Sequence, residues 1–469
     1  MSEDFEMMDE NQVNDLVNRF ETMLDKGLPV YFDADEFEVI IDYYFDNQLA
    51  DQAVLAIDHA LQLFPSATSF QIRKARLFAY QRAYYEALEL LNQIELIEVA
   101  NEEVYISKAE IYSLMNKHKL AIEEYEKSLP YIDYPEEVYS SIAFEFENLN
   151  DYPNAIKYLK KAIELNPDSE NLLHEISFFF EITEREEEGI VFLNEFLDEN
   201  PYSKVAWFNL GIFYNALEFY EKAIESYEFT LAIDEEFSAA YFNIANSYSG
   251  LELYEKAIHY YKETFRFESP EAITYYYIGE SYESLNKLDL ALSYFEKALK
   301  TDEKLAEAWA GKGRLFVKQE NDRIAIKHYE RAIELMPFND EFKYDLAIIF
   351  LRNGWFPKAD KLFREIIEHD PQMIEAWINY SVSVSLDDDY QSAINIIEEG
   401  LKENKDNASL WYRLAGLLYK AGKVQQAYFY METAMKLDFE LHEELLDFLP
   451  ELHLETRFVE LLHFYKHSD

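Results

Sequence analysis

Residues 204–237 read KVAWFNLGIFYNALEFYEKAIESYEFTLAIDEEF. Gly211 lies four residues after Trp207 and three before Tyr214, and Ala223 lies four before Tyr227. Steps of three and four place side chains on one helix face. The segment therefore holds two apolar stripes and predicts two helices. Moving along the chain by 34 residues reproduces the pattern. The alanine column reads Ala53, Ala87, Ala121, Ala155, Gly189, Ala223, Ala257, Ala291, Ala325, Ala359, Ala393 and Ala427. Such a chain has no single large core, because each unit packs on its neighbours and stability accrues unit by unit.

Twelve residues before each alanine stands a second small column, from Ala75 and Ala109 through Gly211, Gly279 and Gly313 to Ala415, with Ile41 as the exception. Two helices that cross closely need small residues at the contact, and the aromatic columns fill the space around it. Four of the five tryptophans, Trp207, Trp309, Trp377 and Trp411, share one column. Prolines at 65, 167, 201, 337 and 371 end the second helix of their units. In the fifth unit Gly189 replaces alanine while Phe196 stands where other units often have alanine, so Phe196 is expected to fill the space that Gly189 leaves.

Trp207, Leu210, Gly211, Tyr214, Ala223 and Tyr227 align with the tetratricopeptide pattern W-x2-L-G-x2-Y…A-x3-F…P, although Glu235 replaces the final proline. Residues 306–339 keep it as Pro337. The chain thus resembles the tetratricopeptide repeat family in twelve gapless repeats, beginning at residues 34, 68, 102, 136, 170, 204, 238, 272, 306, 340, 374 and 408. The resemblance implies an all-α, right-handed superhelical solenoid of antiparallel helix pairs. The expected organisation is an acidic segment and capping helix over 1–33, one solenoid over 34–441, and capping helices over 442–469. The first cap covers 11–26, with Gly27 and Pro29 stopping it and Arg19 in the alanine register. The last has Leu445, Leu446, Leu449, Phe458, Val459, Leu461 and Leu462 facing the final repeat.

Charge and termini narrow the function. Ninety-two acidic residues against 42 basic ones give a net charge of −50. Bare nucleic acid is disfavoured as a partner, since binding it needs phosphate-neutralising Lys and Arg. The start, Met1 to Glu6, has neither a basic region nor an apolar run, and no stretch has the length to insert into a membrane. Cysteine is absent. A cytoplasmic location is the simplest expectation, and the sequence leaves the oligomeric state open.

No catalytic, cofactor-binding or metal-binding residue is predicted. The ten histidines form no H-E-x-x-H, and His463 with His467 makes only a terminal pair. Gly311-Lys312-Gly313 lies inside a predicted helix and lacks the spaced glycine of a phosphate loop. Asp387-Asp388-Asp389 lacks the glycine and terminal glutamate of a calcium loop. The chain is therefore expected not to be an enzyme.

By the resemblance, first helices line a concave groove, and the residues beside the aromatic column should face it. These are Phe208, Asn209, Phe242, Asn243, Asn246, Tyr276, Tyr277 and Glu280, then Arg314, Tyr344, Asn379, Tyr412 and Arg413. Asn209 and Asn243 occupy one column a repeat apart and resemble an asparagine ladder. A carboxamide can donate to C=O and accept from N–H, so such a ladder can hold an extended backbone. Packing between repeats is the alternative for the same residues. The column His174, Phe208, Phe242, Tyr276, Ala310 and Tyr344 lacks the lysine with which related repeats clamp acidic chaperone tails. The expected function is a protein-interaction scaffold or adaptor for an extended, basic protein or peptide segment. A holdase for basic or unfolded clients and a regulatory subunit of a larger complex are the alternatives.

Overall fold

The computed structural model describes residues 10–27, 30–386 and 389–466. Met1 to Glu6, Pro29, Asp387, Asp388 and His467 lie outside the described residues. The chain forms two compact units, Met1–Glu235 and Glu236–Asp469. The described residues hold 27 α-helices and three short 3-10 segments, with no strand. First helices start at Ala34, Thr68, Glu102, Glu136, Glu170 and Lys204 in the first unit, and at Ser238, Ala272, Ala306, Asp340, Ile374 and Ala408 in the second. Every predicted repeat start is a helix start. Second helices begin 16 residues later in each repeat, from Ala50 to Val424.

Packing explains the columns. Every alanine of the alanine column is fully buried. Where the second small column is glycine, an aromatic ring of the paired helix occupies the vacated space. A Cβ built on Gly211 would lie 2.4 Å from the Tyr227 ring, one on Gly279 2.7 Å from Phe295, and one on Gly313 2.7 Å from Tyr329. Gly189 follows the same logic with a different partner from the expected one. Its Cβ would lie 2.4 Å from the ring of Phe213, on the first helix of the next repeat. Phe213, not Phe196, fills that space, because a first helix packs back onto the preceding second helix. Phe196 instead lies beside Phe192 at 6.4 Å.

The tryptophan column has a second task. The indole N–H groups of Trp207, Trp309, Trp377 and Trp411 donate to the carbonyls of Pro201, Glu303, Pro371 and Lys405, at 2.8–3.0 Å. Each ring covers the helix pair while its polar edge ties the preceding turn to the first helix.

The turn inside each repeat is as regular as the helices. Residues with φ between 54° and 76° recur every 34 positions at Gln48, Arg82, Asn116, Asn150, Glu184, Glu218, Glu252, Asn286, Glu320, Gly354 and Gly422. The next N–H then reaches back to the carbonyl of the large apolar column, as Phe219 does to Tyr214 and Leu253 to Tyr248, both at 2.8 Å. This is the Schellman arrangement, which satisfies orphan carbonyls at a helix end.

The caps depart from the repeat. The first, Glu10–Lys26, buries Leu16, Val17 and Phe20, and Phe20 meets Phe32 and Phe37 at 5.9 Å. Arg19 stays outside and pairs with Glu36 at 3.3 Å. At the other end His442–Phe448 and Thr456–Lys466 flank a 3-10 turn over Pro450–Leu454. Leu445, Leu446, Leu449 and Phe458 are buried as expected, and Leu461 and Leu462 pack at the edge. Val459 is exposed, and Leu452 in the turn takes up buried apolar surface instead.

Candidate binding face of the first helices

In the second unit the first helices Ala272–Ser284, Ala306–Lys318 and Asp340–Arg352 carry residues of the same columns side by side. They line a cleft of about 390 Å³ with Glu280, Glu283, Arg314, Lys318, Glu341, Tyr344 and Asp345. Arg314 Nη2 donates to Glu280 Oε1 at 3.3 Å and to Glu283 Oε2 at 3.2 Å. Lys318 Nζ reaches the other oxygen of Glu283 at 2.9 Å. Tyr276 donates to Glu280 at 2.7 Å, and Tyr329 donates to Asp345 at 2.8 Å. Burial works against the Arg314 charge, but Glu283, Tyr276 and Glu280 outweigh it and raise its pKa. Burial likewise raises the Asp345 carboxyl, and Tyr329 and Arg314 only partly offset it. Four carboxyl groups face two cations here, so the cleft keeps an acidic excess.

The other predicted residues divide. Asn379 donates to Tyr344 at 2.9 Å and continues the polar row on the eleventh repeat. Tyr277 stacks on Tyr261 at 5.8 Å, and Phe242 meets both rings edge-on. Asn246 donates weakly to Asn243 at 3.4 Å and accepts from Tyr261 at 2.6 Å. Phe208 is buried against Tyr227. Asn209 is 2% exposed, and its amide donates to the carbonyl of Leu173 at 3.1 Å. Its carboxamide is thus spent on the first helix of the preceding repeat, and the expected ladder loses this member to packing between repeats. Tyr412 is buried too and donates to the carbonyl of Asp438 at 2.9 Å. Arg413 lies under the C-terminal cap.

The first unit shows a different face. Its first helices expose Leu114, Phe144, Phe178 and Ile182. Phe144 and Phe178 stand in the column that holds Glu280 and Arg314 in the second unit. Glu175 adjoins this strip, and burial followed by the charge of Glu147 raises its pKa. This strip is absent from the sequence reading. Its signal was present, since aromatic residues at 144 and 178 follow Asp42, Arg76 and Glu110 in the same column.

Among the described residues no group of three or more His, Asp or Glu is placed to hold a metal ion. No helix of the described residues is long and apolar enough to cross a membrane.

Family models described as tetratricopeptide repeat match residues 102–129, 136–169, 242–306, 311–374 and 386–443, together more than half of the chain. The chain belongs to the tetratricopeptide repeat family, a family of protein-interaction scaffolds. No curated protein matches it in sequence. Among solved structures, YrrB, described as a TPR protein with an unusual peptide-binding site, is 20% identical with a TM-score of 0.31. The match covers 39% of this chain and 95% of YrrB. The APC/C hetero-tetramer Cut9-Hcn1 is 12% identical with a TM-score of 0.42, over 89% of this chain and 94% of that one. MamA is 24% identical with a TM-score of 0.33, over 37% and 94%.

Proposed function

We propose that the chain is an adaptor that grips an extended, basic protein segment along its first helices, with the cleft of repeats eight to ten as the main contact. The acidic excess of that cleft carries the reading. Glu280, Glu341 and Asp345 offer acceptors to Lys and Arg side chains, and Tyr344 offers apolar area at little entropic cost. The net charge of −50 would speed the encounter with such a segment.

The test uses the full chain and a fluorescent 15-residue peptide of alternating arginine and alanine, measured across a salt series. Binding should weaken as salt rises past about 0.15 M, where the screening length is roughly 8 Å. A Glu280→Gln, Glu341→Gln double variant should bind more weakly and show a shallower salt slope. Equal affinities for both proteins, or a preference for the matching glutamate peptide, would remove the cleft from consideration.

The exposed strip of Leu114, Phe144, Phe178 and Ile182 favours a second reading, a holdase for basic or unfolded clients. A holdase should suppress aggregation of several unrelated unfolded proteins and lose that ability in Phe144→Ser, Phe178→Ser. An adaptor should do neither.

A further inference from the structure

Two turns of the first unit depart from the way its other repeats end. The second helices of the first and fourth repeats run 14 residues, to Leu63 and Leu165, and proline follows at 65 and 167. That of the second repeat, Tyr84–Glu95, stops after 12 residues, and Val99 stands where those prolines do. That of the third, His118–Ser128, stops after 11. Pro130 has no N–H with which to continue that helix, and the chain tightens into a 3-10 turn over Leu129–Tyr131. The early ends leave Leu96, Ile97 and Val99 exposed in one turn and Tyr131 and Tyr134 in the next. Leu96 is 84% exposed and Tyr134 80%. Ile97 and Tyr131 lie one period apart and share a column. Tyr105 joins the two turns from beneath. It is buried, its hydroxyl donates to the Val99 carbonyl at 2.7 Å, and its ring stacks on Tyr131 at 6.1 Å. The patch is therefore held in place before any partner arrives, which lowers the cost of binding.

Large apolar side chains grouped in solvent mark a contact surface. The charge around them says for what. Residues 95–137 hold eleven acidic and four basic residues. Lys108 is engaged by Glu95, and Lys127 by Glu124. Glu98 accepts from two neutral groups, Thr68 Oγ1 at 2.9 Å and Asn101 Nδ2 at 2.8 Å, and so keeps its full charge. Asp133, Glu136 and Glu137 flank Tyr134 in the chain. A second copy of the chain would bring the same charge of −50 to this rim, and an anionic bilayer would be repelled in the same way. We propose that this edge docks a protein segment whose apolar side chains are set between lysines or arginines. The apolar side chains cover Leu96, Ile97 and Tyr134, and the cations meet Glu98, Asp133 and Glu137. The patch lies in the turns between repeats and not on the first helices, so the inference does not rest on the reading of the acidic cleft.

The test uses the full chain and hydrogen exchange at short labelling times, read segment by segment. The probe is a capped heptapeptide of alternating lysine and leucine. Capped peptides of lysine with alanine and of glutamate with leucine are the controls. The lysine–leucine peptide should slow exchange over residues 96–101 and 131–134 saturably, with an affinity at least about tenfold above either control. The double variant I97S, Y134S should bind it at least about tenfold more weakly, as expected of apolar anchors, with the thermal unfolding of the chain unchanged. D133K should weaken binding about threefold at low salt and little at high salt. No slowing in these segments, equal slowing by a control, or undiminished binding in I97S, Y134S overturns the site. Slowing that grows with the concentration of the chain alone marks a second copy as the occupant, and slowing by phosphatidylcholine vesicles marks a membrane. Either result overturns the proposal. Slowing confined to residues 280–318 leaves the cleft reading intact and removes this one, whereas slowing confined to the two turns keeps this one and counts against the cleft.

Discussion

The two units carry the same helix pairs and differ in what they leave to solvent. The first, residues 1–235, has 50 acidic and 16 basic residues, and the second has 42 and 26. The first exposes phenylalanine where the second exposes glutamate and arginine. All six left-handed positions inside the repeats of the first unit are non-glycine, whereas the second has glycine at 354 and 422. Positions that touch another helix are nearly invariant between the units, because a misfit there costs packing. Positions free of that constraint have diverged, and recognition is to be sought in those.

The largest expected effects test whether packing obeys one rule in both units. Gly189→Ala in the first unit and Gly279→Ala in the second should each cost about 1–3 kcal/mol, since each new Cβ meets an aromatic ring. Phe213→Leu should relieve the first and Phe295→Leu the second. The cycles should show coupling of at least about 0.5 kcal/mol by denaturant unfolding. Phe196→Ala should add to Gly189→Ala without coupling. Coupling to Phe196 instead would restore the expectation drawn from the sequence.

The turns come next. A non-glycine residue in the left-handed region costs roughly 1–2 kcal/mol less any local compensation. Glu184→Gly and Glu218→Gly should therefore each stabilise the first unit by up to about 1 kcal/mol, and Gly354→Glu should destabilise the second by a similar amount. Thermal unfolding of the three variants decides it. Destabilisation by the two glycine substitutions would show that the glutamate side chains hold these turns by contacts of their own.

These turns also show what the sequence made legible. A period of 34 places every helix start, because helix spacing and the small columns repeat without a slip. The turn between helices repeats equally well in the backbone but not in residue type, since Glu, Asn, Arg and Gln all adopt the required φ under the constraint of the flanking helices. The candidate site was legible only as a column. Whether a column residue faces solvent or the neighbouring helix depends on the local size of its neighbours. Asn209 and Asn379 share a column, yet Asn209 turns to Leu173 and Asn379 to Tyr344. Arg413 was legible as a groove residue and not as the seat of the cap, because that role depends on Gly416 and Phe448 together.

The two asparagines of the expected ladder give a smaller contrast. Asn209→Ala in the first unit should cost about 1 kcal/mol, as a buried amide donor and its neighbouring carbonyl lose their contact. Asn243→Ala in the second should cost less, because the hydrogen bond it accepts from Asn246 is long, at 3.4 Å. Chemical denaturation ranks them. If Asn243→Ala proved the more damaging, the assignment of Asn209 to packing would need revision.

The smallest effects are those of pH, and they have opposite signs at one site in each unit. In the first unit burial and Glu147 raise the Glu175 pKa, so the folded state holds its proton more tightly than the unfolded chain. That contribution is present at low pH and is lost as pH rises through the folded value. In the second unit His328 lies against Trp309 at 5.5 Å and Phe316 at 5.4 Å. Burial, with Lys312 nearby, lowers its pKa from 6.5 to about 4. The fold therefore favours neutral His328, and its contribution fades as pH falls from about 6.5 towards 4. Both groups are partly solvated, so screening keeps each effect small. Hydrogen exchange followed segment by segment from pH 7 to pH 4, corrected for intrinsic rates, separates them. Glu175→Gln should remove an acid-induced gain in protection around residues 170–182. His328→Gln should remove an acid-induced loss around residues 306–335. A shared response of both segments to either single change would mean that the pH dependence belongs to the overall charge of −50 and not to these two side chains.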